Sequence, residues 1–295
     1  MVRMPRPSKF VLVTALTLAF CAEPASAVAR ATAPVDASEL DAGFQQLYEL
    51  RFGDARARFA DWQQAHPDDP FGYTSEAASF LFEEFYRKGI LTSEFFLDDA
   101  KLLGGISAKP DESLGTAFLA ANRRSRELAM RQLRATPRDA NALFALTLST
   151  GMLADYAALI EKKQLDSLRY VREAERLAKE LLRVAPENAD AYLALGAANY
   201  IIGCLPGYKR FLLWFGGIRG DRLAGMEQLR LTATRGHYLM PFAKMLLALA
   251  ALREKQPDLA RSLLTELTRE FPGQPLFARE LALLNKSRGA VASRP

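Results

Sequence analysis

The residue types from which hydrolytic, metal or redox chemistry is built are sparse here: two histidines, two cysteines and adjacent acid pairs such as Asp68/Asp69, Glu83/Glu84 and Asp98/Asp99. His66 lies in a His-Pro-Asp-Asp turn and His237 follows Gly236, so a two-histidine metal site would need distant parts of the chain to converge. Neighbouring acids on a helix point in different directions, and nothing in these pairs pushes their pKa values apart as acid and base roles require. Gly216-Gly217 and Gly220 lack the Lys-Ser/Thr of a phosphate loop, and no strand precedes them. The sequence therefore predicts no catalytic, cofactor-binding or metal-binding residues.

What remains is chemistry of contact. Between the turn signals Pro206-Gly207 and Gly216-Gly217 lies an apolar block led by Lys209 and Arg210 and ending in Trp214 and Phe215. Such a block either packs into a groove between helices or anchors the chain to a partner or lipid, with Trp214 and Phe215 as anchors and the two cations beside acidic or lipid groups. A second aromatic concentration, Phe80 to Tyr86 with Phe95 and Phe96, is interleaved with acids and reads as core with a solvated rim or as a pocket.

Before the elements that position these residues comes a segment of a different kind. Arg3, Arg6 and Lys9 precede an apolar run from Phe10 to Cys21 and a small-residue cleavage site, Ala25-Ser26-Ala27. This is the pattern of a secretory signal peptide at 1–27, with export most simply to a periplasm. A lipoprotein reading through Cys21 is disfavoured because bulky Phe20 precedes it. The run is also shorter than the roughly 20 residues that cross a bilayer. A linker at 28–37 leads to a body at 38–286 and a tail at 287–295, expected to be disordered. Removing the signal leaves Cys204 alone, so no intrachain disulfide forms, and lowers the formal net charge from +5 to about +3. The cations are interleaved with acids at helical spacing, which excludes a nucleic-acid footprint.

Across the body apolar positions follow a 3.6-residue period, with no sustained strand alternation. Helices are predicted at 38–51 with 55–66, 71–88 with 113–135, 140–162 with 168–184, 189–203 with 221–235 and 238–255 with 258–270, and a last one at 275–286. Five quintets recur at fixed offsets: Ala55/Phe59/Trp62/Pro67, Ser125/Ala129/Gln132/Pro137, Ala174/Ala178/Leu181/Pro186, Ala224/Gln228/Leu231/Gly236 and Ala260/Leu264/Leu267/Pro272. A small residue lets the second helix approach the first, the next two share its face, and Pro ends the helix. On first helices the matching positions are Tyr73/Glu76/Ala77, Leu143/Leu146/Thr147, Tyr192/Leu195/Gly196 and Ala278/Leu281/Ala282. The period breaks twice, around 89–112 and 203–220, and insertions in repeat arrays often carry binding.

The pattern is similar to the tetratricopeptide repeat (TPR), carried best by Tyr192-Leu193-Ala194-Leu195-Gly196 with Ala174 and Pro186. Residues 196–252 also resemble, distantly, part of the tetratricopeptide-repeat domain 39 family, through Gly196-Ala197-Ala198-Asn199, Leu205-Pro206, Phe211-Leu212 and the turn from Gly216 to Arg222. The resemblance implies an all-α, right-handed α-solenoid of about five hairpins with a C-terminal capping helix, noncatalytic, binding a protein or peptide along its concave wall. The corresponding candidates are Tyr73, Asn141, Asn188, Tyr192, Asn199 and Tyr200 on the first helices; Asn141 and Asn188 could instead cap helices. The expected function is thus an exported scaffold or adaptor. The alternatives are peripheral lipid attachment through 205–218 and an α/α enzyme using the acids at 80–99.

Overall fold

The computed structural model describes residues 38–98, 100–101, 109–215 and 219–292; the side chains at 38, 209, 212, 213, 215 and 287–292 are not part of that description. The expected signal peptide and linker, Asp99 and Gly216-Gly217 lie outside the described residues. In chain order the helices are α1 Ser38–Tyr48, α2 Phe52–Ala65, α3 Pro70–Arg87, α4 Ser93–Leu97, α5 Glu112–Ala135, α6 Ala140–Asp155 continued by a π turn at Tyr156–Ile160, and α7 Gln164–Val184. A short 3-10 turn at Ala189–Ala191 then leads to α8 Tyr192–Cys204, α9 Gly207–Phe215, α10 Arg222–Arg235, α11 Met240–Arg253, α12 Pro257–Glu270 and α13 Pro275–Ala292. α13 overruns the expected boundary at 286.

Local chemistry sets these limits. Asp69, Thr92, Asp111, Asp139 and Asp221 each accept a backbone N–H from the first turn of the helix they precede, satisfying donors that have no intrahelical partner. First helices leave through a left-handed residue: Leu50 at φ 63°, Gly89 at 68°, Lys162 at 59° and Lys255 at 58°. Only the fourth hairpin departs, because Leu205 is extended and leads into α9.

The fold is all-α, with helices packed as sequential hairpins: α1 on α2, α3 on α5, α6 on α7, α8 on α10 and α11 on α12, with α13 against α12. Four quintets have the predicted register. Ala55, Phe59, Trp62, Ser125, Ala129, Ala174, Ala178, Leu181, Ala260, Leu264 and Leu267 are buried. The fourth quintet is one residue out of step. Gly225, Leu229 and Thr232 face α8, while Ala224, Gln228 and Leu231 are only partly buried. The backbone explains the slip: Gly236 N–H donates to Thr232 O, as His66, Thr136, Ala185 and Phe271, each immediately before a Pro, donate to the residue four earlier. Gly236 is therefore the counterpart of the residue before Pro, and His237 stands in the Pro position. Asp190 dictates glycine at 236, since a Cβ there would lie 2.4 Å from its Oδ1. That carboxylate accepts the N–H groups of His237, Tyr238 and Leu239 and so closes the entry to α11. Burial pushes its carboxyl above the ordinary range despite these donors.

The expected face of α13 is also corrected. Ala278 and Ala282 are exposed, and Leu276, Phe277, Glu280 and Leu284 are buried instead, on the side that packs against α12 and accepts the Ser93 N–H.

The hairpins do not form an open groove, because the first meets the fifth. Tyr48 Oη donates to Tyr238 O at 2.9 Å, and the Tyr238 ring lies 4.9 Å from Phe44 and 4.9 Å from Phe71. Phe71 also meets Phe144 at 4.9 Å, Tyr48 meets Phe271 at 5.7 Å and Phe82 meets Phe242 at 5.8 Å. Aromatic side chains of α1, α3, α6 and α11 thus fill space where an open solenoid would offer its inner wall. The first insertion joins the same closure. α4 packs on α11, Arg253 donates to Phe96 O at 2.7 Å, and Ser93 N–H donates to Glu280 at 3.2 Å.

Candidate docking surface

The inner-wall candidates are engaged within the chain. Asn141 donates to Asp69 Oδ1 at 2.6 Å, the same carboxylate that caps α3 and accepts Trp62 Nε1–H. Asn199 donates to Gln228 at 2.8 Å, and Tyr200 is buried with its hydroxyl near Ala250 O and Glu254. Burial pushes the Tyr200 hydroxyl pKa well above its ordinary value. The Tyr73 ring lies beneath the Arg124 guanidinium at 5.7 Å, and Tyr192 is partly buried. Asn188 makes no side-chain cap, and its Oδ1 is buried without a hydrogen-bond partner, so the capping role fails there as it does at Asn141. Asn141 and Tyr200 join adjacent hairpins, while Asn199 and Tyr73 hold the two helices of their own hairpins together; the structure does not gather these residues into one exposed wall.

The acids considered for chemistry are likewise committed. Glu83 pairs with Arg56 at 2.8 Å, while Glu84 is buried and accepts Asp111 N–H at 3.2 Å, with Lys88 at 3.8 Å. Its second oxygen borders a cavity of about 10 Å³ lined by Phe80, Gly115, Phe118 and Tyr156, room for a single water. Asp98 caps the backbone at Ala100 and Lys101. His66 stacks on Trp62 at 3.9 Å, and His237 pairs with Asp41 at 2.9 Å. Phe82, Phe85 and Phe95 are core. Among the described residues no group of three or more His, Cys, Asp or Glu is placed to hold a metal ion.

The second insertion behaves differently. Pro206 cannot continue α8, and Gly207 opens the nine-residue α9. Tyr208, Phe211 and Trp214 are 67%, 59% and 49% exposed. Their spacing of three keeps them on one side of the helix, and the Phe211 and Trp214 rings stack at 6.3 Å. Contacts at and beside α9 tie this segment to the body. Arg210 donates to Gly203 O at 3.2 Å, and the returning chain packs backbone to backbone on α8, where a Cβ on Gly220 would lie 2.3 Å from Gly203 N. Ile201, at the end of α8, and Leu223, at the start of α10, add exposed apolar surface to this hairpin. Of the four candidates in this block, Arg210 and Trp214 are exposed, while the side chains of Lys209 and Phe215 lie outside the described residues. Sequence reasoning included Tyr208 and Phe211 in the 205–218 block without naming them as anchors, and passed over Ile201 and Leu223; the spacing of 208, 211 and 214 was the available signal.

No protein-family profile matches the chain, and no curated protein does. Among solved structures, a thermophilic TPR protein of Thermus thermophilus is similar at 16% identity and a TM-score of 0.45, covering 85% of this chain and 98% of that one. That likeness is too slight to add to what the chain's own helices show.

Proposed function

We propose that the protein is an exported, noncatalytic adaptor built from TPR-like hairpins, and that it attaches to its partner through the exposed end around α9. The supporting observation is the contrast between two surfaces. Aromatic residues of the first, second, third and fifth hairpins close on one another inside, whereas Tyr208, Phe211 and Trp214 are exposed on a helix tied to α8 through Arg210. Helical-repeat proteins generically bind proteins or peptides, but here a peptide threaded along the first helices would have to displace bonds such as Tyr48 to Tyr238 and Asn141 to Asp69. Docking on the outside displaces none of them. Export rests on the charged start, apolar run and small-residue cleavage pattern of 1–27.

The test is retention on the native envelope fraction. A Phe211→Asp, Trp214→Asp double variant is expected to wash off while melting within about 2 °C of the parent, since surface substitutions change stability little. Undiminished retention of the variant would sink the assignment.

A further inference from the structure

We infer that α9 docks on an anionic lipid bilayer, lying in the interface rather than spanning it; this rests on the reading of α9 as the docking surface. Three observations select lipid over a folded protein. The exposed side chains are Tyr, Phe and Trp; the Tyr and Trp rings, apolar with a polar edge, suit the boundary between headgroups and acyl chains, and Phe adds apolar surface to insert there. The segment that carries them has charge of one sign: from Ala191 through Gly220 the chain contains no Asp or Glu but does contain Lys209, Arg210 and Arg219, although elsewhere acids and bases alternate. A surface of uniform negative charge complements such a stretch, and each base near it strengthens attachment about fivefold. The third is size. A nine-residue helix is about 14 Å long and about 10 Å wide, a face of roughly 140 Å², far short of the roughly 800 Å² per partner of a specific protein interface, whereas an insertion of about 5–10 Å into headgroups needs no more.

Spanning is a poor alternative. Among the described residues the one helix long and apolar enough to cross a membrane is Ala140–Ile160, and 61% of that stretch is buried inside the protein as core.

The chain carries its own reporter. It has two tryptophans; Trp62 is 7% exposed and bonded to Asp69, so Trp214 alone stands to change environment on docking. With vesicles of one-third phosphatidylglycerol in phosphatidylcholine, the full chain is expected to float with lipid and its emission to shift to the blue. A Trp62→Phe variant keeps the shift, and Phe211→Ser lowers partitioning roughly tenfold. Partitioning falls at high salt and on pure phosphatidylcholine. Flotation is read on the parent chain, so failure of a variant to fold does not decide the result. No flotation and no shift with anionic vesicles overturns the inference. A photoreactive residue at 211 that links only protein in the native envelope overturns it too, while leaving α9 as the docking surface. No link to protein or lipid overturns both.

Discussion

Two chemically identical substitutions in the helices should have opposite effects. Gly225 on α10 crosses Gly196 on α8, and a Cβ at 225 would lie 2.6 Å from Tyr200 N, 2.9 Å from Gly196 O and 2.9 Å from Tyr200 Cα. All three neighbours are backbone, so no rotamer change relieves the clash and the helices must part locally by about 0.5–1 Å. A gap of that size forfeits a quarter to a half of the dispersion energy of the atoms along it. Here those include the neighbours of buried Leu195, Met226 and Leu229. Overpacking of this kind costs about 3 kcal/mol, offset by about 1 kcal/mol from replacing a helical Gly by Ala. Gly225→Ala is therefore expected to destabilise by about 2 kcal/mol, lowering the melting temperature by about 4–8 °C. Gly151 lies inside α6 with nothing within 4 Å of a Cβ, so Gly151→Ala should stabilise by about 0.5–1 kcal/mol. Urea unfolding followed by circular dichroism measures both. If both variants gain stability, the close α8–α10 crossing is wrong.

Phe71→Ala should cost about 3–5 kcal/mol in a single transition, because Phe71 joins Phe44, Phe144 and Tyr238 from three other hairpins. A loss under about 1 kcal/mol, or separate melting of the N-terminal hairpins, would argue against closure. Burial pushes the Asp155 carboxyl up to about 7 although the residue keeps some exposure. The folded state then holds this proton more tightly than the unfolded chain, so stability falls as pH rises from about 4 to 7. Discounted for exposure, Asp155→Asn should flatten that profile by about 2 kcal/mol, and superimposable pH profiles would refute the assignment. At Lys162, φ is 59°; Lys162→Gly should relieve left-handed strain and stabilise by about 0.5–1 kcal/mol in thermal melts, whereas a loss would mean that the side chain contributes more than the strain costs.

The hairpin order was legible because burial of one helix face repeats locally. Ala174, Ala178 and Leu181 face the first helix in structure as in pattern. The slip in the fourth hairpin was not, because Gly236 imitates the punctuation of a turn, and only its N–H bond to Thr232 shows which repeat position it fills. Closure was invisible for a different reason. Tyr48 and Tyr238 are 190 residues apart, and each looks like an ordinary core aromatic of its own hairpin. The inner-wall polar residues misled in the same way, since Asn141 finds Asp69 and Asn199 finds Gln228 on other helices, partners that helical spacing does not reveal. Composition and turn signals marked the α9 block, and the spacing of 208, 211 and 214 puts them on one side of a helix, but a single nine-residue helix has no repeat register to tell an outward side from a packed one.

The most direct measurement is a photo-cross-linking scan in the native envelope, with the reactive residue placed in turn at 73, 192 and 211. The structure predicts intermolecular adducts at 211 and none at 73 or 192, because Tyr73 and Tyr192 sit among the chain's own packed helices while Phe211 is 59% exposed on α9. Adducts at 73 and 192 with none at 211 would contradict the account and restore the inner wall as the binding site.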